Sequence, residues 1–145
     1  LTDWLQNPKP IRPLKYNSIT AKNVGDHPKS SAGDAAALTE FLMGLTVAEV
    51  KAGAIKPNPS VQGRAIFTKK MPCGGCHAYS VKGQAQGGLS GPTLVGSSKR
   101  LNPDWILAYL ANTKYFKPVR DMPDFAGILN PKDMENVAAF VATFE

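Results

Sequence analysis

The sequence is short of thiols, imidazoles and long apolar runs, and each shortage removes a class of protein. No stretch of the 145 residues is apolar for long enough to cross a bilayer. The opening LTDWLQNPKP lacks the layout of a signal peptide, so a targeting segment was either removed or never present, and removal is the expectation adopted. With only two Cys and two His, a four-ligand zinc site could draw on nothing but Cys73, Cys76, His77 and the remote His27. No convincing strand pattern occurs, which leaves a Cys-x-x-Cys pair without the βαβ setting of a thioredoxin-like protein.

Thirteen Gly and twelve Pro are more than average and predict a loop-rich fold. The composition, 43% apolar and 19% charged, is that of a globular chain of one domain, or one domain with an appendage. A formal charge of +6 favours acidic partners. The lysines are scattered and no motif would set a helix or an aromatic sheet on bases, so no nucleic-acid partner is expected.

The two thiols decide more than the charge. They lie in Met71-Pro72-Cys73-Gly74-Gly75-Cys76-His77. In Cys-x-x-Cys-His each thiol can add to a haem vinyl group while the adjacent His sits under the iron. Gly74 and Gly75 would let the backbone pass close to a porphyrin edge. A thiol redox pair, a zinc site and a plain disulfide are the competing readings. Haem iron in a carrier usually takes a second ligand, and Met raises the potential. Of the four Met, Met71 is too near Cys73 to reach the opposite face, while Met134 and Met43 fall in helical apolar stretches that predict core packing. Met122 sits in the loop Arg120-Asp121-Met122-Pro123-Asp124-Phe125 and is the chosen candidate.

These residues resemble the class I cytochrome c family over about the last 85–90 residues, a single domain's length. Gly63-Arg64-Ala65-Ile66-Phe67 resembles the family's first helix, and Gly91-Pro92-Thr93-Leu94-Val95-Gly96 the loop whose Pro carbonyl accepts the proton of the proximal His. Tyr109 to Lys114, running through Pro118 to Met122, has the family's spacing into the axial Met, and Ala139-Phe140-Val141 resembles the last helix. The resemblance implies one covalent haem c on Cys73 and Cys76, axial ligands His77 and Met122, and supporting roles for Pro92 and Tyr109, the latter near the Met122 sulfur. It also implies that Phe140 packs on Gly63. Two departures stand out: Phe67 is two residues farther from Cys73 than in the family pattern, and Trp105 is displaced along its helix from the Trp that often holds a propionate.

Local signals predict the same helices without the family. Asn58-Pro59, Asn102-Pro103 and Asn130-Pro131 each read as an N-cap Asn before Pro at the first helical position. Met134, Val137, Phe140, Val141 and Phe144 then recur on one face. Residues 78–101 read as loops wrapping a cofactor. The predicted fold class is all-α: a cytochrome c-like helical domain around one covalent haem, preceded by a haem-less half-repeat.

The half-repeat rests on an ungapped match of Trp4–Asn17 to Tyr109–Met122, in which Leu5, Asn7, Lys9 and Pro13 recur as Leu110, Asn112, Lys114 and Pro118. Ala37–Leu42 resembles Asn136–Val141. Two helix-loop-helix stretches can also match this far by chance. Asn17 stands at the Met position. The division expected is a haem-less segment with the start of a linker at 1–48, and the cytochrome c domain at 49–145. The segment's apolar set (Leu1, Leu5, Leu38, Phe41, Leu42, Leu45) is expected to pack on the haem domain. His27 reads as a solvated loop residue.

The function expected is transfer of single electrons between redox partner proteins in the periplasm, by a protein that is not itself an enzyme. Lys69, Lys70, Lys82, Lys99, Arg100, Lys114, Lys117 and Arg120 fall in segments expected around the haem crevice and would steer partners with acidic docking faces. The alternatives are a haem-bearing subunit or domain of a larger oxidoreductase complex, and a haem protein whose open sixth site binds a small ligand.

Overall fold

The computed structural model describes residues 1–119 and 122–145. Helices α1 (Thr2–Gln6) and α2 (Ala32–Gly44) form the N-terminal part. Helix α3 (Val61–Ala65) runs into a π-helical turn (Ile66–Lys70), followed by α4 (Cys73–Cys76), strands β1 (Ala78–Val81) and β2 (Gln84–Gly87), a 3-10 turn (Ser97–Lys99), α5 (Pro103–Ala111), α6 (Thr113–Phe116) and α7 (Pro131–Val141).

The all-α expectation is corrected here. Helix accounts for 41% of the structure, and β1 and β2 pair as an antiparallel hairpin with Ala78 opposite Gly87 and Val81 opposite Gln84. Residues 78–87 are therefore not simply loop. The two-residue connection Lys82-Gly83 has φ of +50° and +77°, the doubly left-handed turn whose twist matches that of the strands it joins. Gly supplies one of these positions without steric cost; Lys82 is strained into the other. With only four residues per strand, and Gln84 and Gln86 two residues apart in β2, the segment offered no apolar alternation to betray it.

Two of the three predicted caps stand. The Asn102 side chain accepts from the Asp104 amide at 2.8 Å, and Asn130 from the Asp133 amide at 2.8 Å, each with Pro next in sequence. The third is displaced: α3 is capped by Ser60, whose hydroxyl accepts from the Gly63 amide at 3.0 Å. The Asn58 amide instead donates to the Ala139 carbonyl at 2.9 Å, tying the linker to α7. Asp104 does the same from α5, its buried carboxylate accepting from the Gly53 amide at 2.6 Å and the Ile55 amide at 2.7 Å.

Helix α3 crosses α7 at Gly63. A Cβ there would lie 2.5 Å from the Asn136 carbonyl oxygen and 2.6 Å from the Phe140 Cβ, so only a residue without a side chain permits the approach. Phe140 thus meets Gly63 as the resemblance implied. The core beneath is aromatic: the Phe67 ring lies 4.9 Å from Tyr79, 5.9 Å from Phe140 and 5.2 Å from Phe144, all edge-on. Burying each such ring is worth roughly 1.5–3 kcal/mol. The π-helical turn, closed by Met71 N–H to Ile66 O at 2.8 Å, takes up extra chain between Phe67 and Cys73 while keeping Phe67 buried.

In the N-terminal part, α1 packs on α2, with the Thr2 hydroxyl donating to that of Thr39 at 2.9 Å. The loop between them folds back on itself at Leu14 and Lys22 and rests on the 90–96 region. Leu5 and Leu14 are buried. The expectation that the rest of the apolar set packs on the haem domain is corrected: Leu1, Leu38, Phe41, Leu42 and Leu45 are exposed, Phe41 at 64%. Met43, expected in a core, is 69% exposed on the same helix. Helix α2 satisfies its one small buried contact, Ala35, against α1 and turns its larger residues outward.

Candidate functional site

Helix α4 is a single turn that carries both thiols three residues apart, the spacing that puts side chains on one helix face. Cys73 is half-buried and Cys76 exposed, and neither is in a disulfide. Burial is the largest influence on Cys73 and pushes its thiol up to about 11. A reactive redox thiol has its pKa lowered instead, the opposite direction to that of Cys73. Among the described residues no three His, Cys, Asp or Glu side chains gather in a group that could hold a metal ion. His27 is exposed, its ring 4.7 Å from that of Trp4 and tilted by 59°, and Nδ1 lies 2.8 Å from its neighbour's carbonyl, Pro28 O.

His77 ends the turn, its amide donating to the Cys73 carbonyl at 2.9 Å. The side chain is buried, with Nδ1 2.8 Å from the Pro92 carbonyl oxygen. A carbonyl only accepts, so Nδ1 carries the proton and Nε2 keeps its lone pair, the form that ligates a metal. Burial lowers the imidazole pKa and the Pro92 bond opposes it, with burial the larger effect. The loop from β2 to Pro92 wraps this ring closely. A Cβ on Gly91 would lie 2.6 Å from His77 Cε1 and 2.7 Å from Nδ1, while the Gly91 amide donates to the Cys76 carbonyl at 2.7 Å.

Met122 is half-buried and packs at the edge of the same core that Cys73 and Met71 border. Its loop is anchored by groups that sequence reasoning missed. The fully buried Thr113 donates its hydroxyl to the Met122 carbonyl at 3.2 Å and also to Asp124, whose carboxylate accepts from the Thr113 amide at 2.6 Å. The Phe125 amide donates to Leu110 at 2.8 Å. Eleven residues separate Thr113 from Asp124, so no local pattern announces the pair. Met134 lies in the core, as expected. Tyr109 is half-buried and stacked on Trp105, with ring centroids 4.9 Å apart and planes 17° from parallel.

A family model for cytochrome c oxidase, cbb3-type, subunit III matches residues 59–141, more than half of the chain. The chain belongs to this family. It therefore contains a c-type cytochrome domain, an electron-transfer module of a class that binds haem covalently. Neither the curated proteins nor the solved structures provide a match.

The residues of this cytochrome c domain fit such a group. The turn offers two thiols beside an imidazole with a free Nε2, and an apolar wall stands behind it. Arg100 adds an anion-seeking group: its Nη2 donates to the Thr93 carbonyl, but its Nε is buried with no partner among the described residues. Haem carries two propionates that suit an unsatisfied guanidinium. Lys69, Lys82, Lys99, Lys114 and Lys117 are exposed, Lys70 pairs with Asp133, and Arg120 lies outside the described residues. No helix among the described residues is long and apolar enough to cross a membrane.

Proposed function

We propose that this chain carries single electrons between redox partner proteins in the periplasm, using one haem c. The observation that carries the reading is the His77–Pro92 contact beside the two-thiol turn, which leaves an imidazole nitrogen available next to two thiols. Cys73 and Cys76 would hold the haem covalently, each through a thioether to one of its vinyl groups. His77 and Met122 would ligate the iron, Pro92 holds the His77 ring in its tautomer, and Tyr109 would support the Met122 side. When bound, haem supplies an iron that changes oxidation state by one electron. The protein's own task is to keep the ligands still in both states. Thr113 and Asp124 serve this on the Met122 side, and the Gly91–Pro92 loop on the His77 side. The exposed lysines steer partners with acidic docking faces by an attraction that salt weakens.

The test is mass spectrometry under denaturing conditions, in which the chain should retain a single haem mass. Release of the haem, or none at all, overturns the reading. A second reading, a haem-bearing subunit of a larger oxidoreductase complex, is favoured by the matched family's description as an oxidase subunit. Native purification separates the two, since a subunit stays with its complex. Rapid CO binding by ferrous protein would instead favour an open sixth site.

A further inference from the structure

We propose that Arg12, from the N-terminal segment, joins Arg100 in a two-guanidinium clamp on the haem propionates, so that this segment tunes the haem domain rather than merely preceding it. The inference rests on the proposed haem function. It starts from Arg100, whose buried Nε has no partner among the described residues although its Nη2 is held by Thr93. A cation with an orphaned, buried donor calls for an anion. Neither Arg12 nor Arg100 is in an ion pair among the described residues.

The second cation makes the need sharper. Arg12 is half-buried and directly precedes Pro13, which packs at Gly96, four residues before Arg100; in keeping with that placement, the Arg100 pKa is lowered first by burial and then by the Arg12 charge. Two like charges brought together out of water repel unless a negative group lies between them. Haem brings two carboxylates on one edge, which match two guanidiniums in number and sign.

Arg12 is held in place by the chain on either side. The Pro13 ring packs where Gly96 has no side chain, with its Cδ 3.3 Å from the position a Cβ would take. The Tyr16 hydroxyl donates to the Ser90 carbonyl at 3.0 Å, two residues before Pro92. Within the loop, the Asn23 amide donates to Pro13 O at 3.1 Å and the Lys15 amide to Ala21 O at 3.0 Å, with Leu14 buried beneath. The strap therefore lies on the loop whose Pro92 carbonyl positions His77.

The test is the midpoint potential of the haem-loaded full chain, with Arg12→Gln and Arg12→Lys, at low ionic strength with and without inorganic phosphate. A positive charge at the propionates favours the ferrous state, so Arg12→Gln should lower the potential and Arg12→Lys should restore most of it, with phosphate having no effect on the wild type. An unchanged potential in Arg12→Gln overturns the clamp. A potential that phosphate shifts in the wild type but not in Arg12→Gln also overturns it, because the pair then holds a soluble anion. Absence of covalent haem from the wild type is a separate result that removes the functional reading itself.

Discussion

His77 Nδ1 and the Pro92 carbonyl oxygen are 2.8 Å apart, and the chain between them turns so tightly that Gly91 has no room for a methyl group beside the ring. The two residues are bound by a hydrogen bond that selects a tautomer and by a backbone that leaves the ring one position. Replacing Gly91 by Ala should therefore cost about 1–3 kcal/mol, the usual penalty of forcing atoms into filled space. Chemical denaturation of the variant measures it. Gly127→Ala is the control, since a Cβ there meets nothing within 4 Å.

Covalent attachment should need both thiols of the turn. The Cys73→Ala, Cys76→Ala double variant should lose all haem mass from the denatured chain, because these are the chain's only Cys residues. Haem remaining on the polypeptide after both are replaced would mean another linkage.

Met122→Ala should abolish the thioether-to-iron band in the ferric spectrum and lower the potential, whereas Met71→Ala and Met134→Ala should keep the band. Thr113→Val should retain Met122 yet destabilise the fold by about 1–3 kcal/mol, since it removes the buried hydroxyl that donates to the half-buried Asp124 and to the Met122 carbonyl. If Met134→Ala removed the band instead, the axial assignment would be wrong.

Phe41 and Phe140 occupy matched positions in the two halves of the proposed repeat but differ in surroundings. Phe140→Ala should cost about 3 kcal/mol, because the ring packs on Phe67 and Phe144. Phe41→Ala should change the stability of the isolated chain by about 0.5 kcal/mol or less. Equal losses, read from thermal unfolding, would show that Phe41 is buried in solution.

What was legible in the sequence was what short-range chemistry decides. Cys73, Cys76 and His77 had to share one turn because they are within four residues of one another. Asn102 and Asn130 start helices because an amide oxygen followed by Pro satisfies the first free N–H groups locally. The contact of Phe140 with Gly63 was legible only through family resemblance. The hairpin was missed because its strands bury too little to show alternation, and Lys82 is not a residue that advertises a left-handed turn. Ser60 and not Asn58 caps α3, and the Asn58 backbone N–H bonds the Ala139 carbonyl, 81 residues away in the chain.

The sequence alone determined the Cys73–His77 turn and the α5 and α7 starts, since each rests on neighbours in the chain, whereas Met122 was chosen by comparing the four Met and by family resemblance. Only the tertiary structure decided that Thr113 and Asp124 hold the Met122 loop, that Asp104 ties down the linker, that α2 turns Phe41 outward, and that Pro13 packs at Gly96. The physical reason is that these pairings join residues far apart in the chain. Their energies depend on which groups the folded chain has removed from water, and no local pattern carries that information.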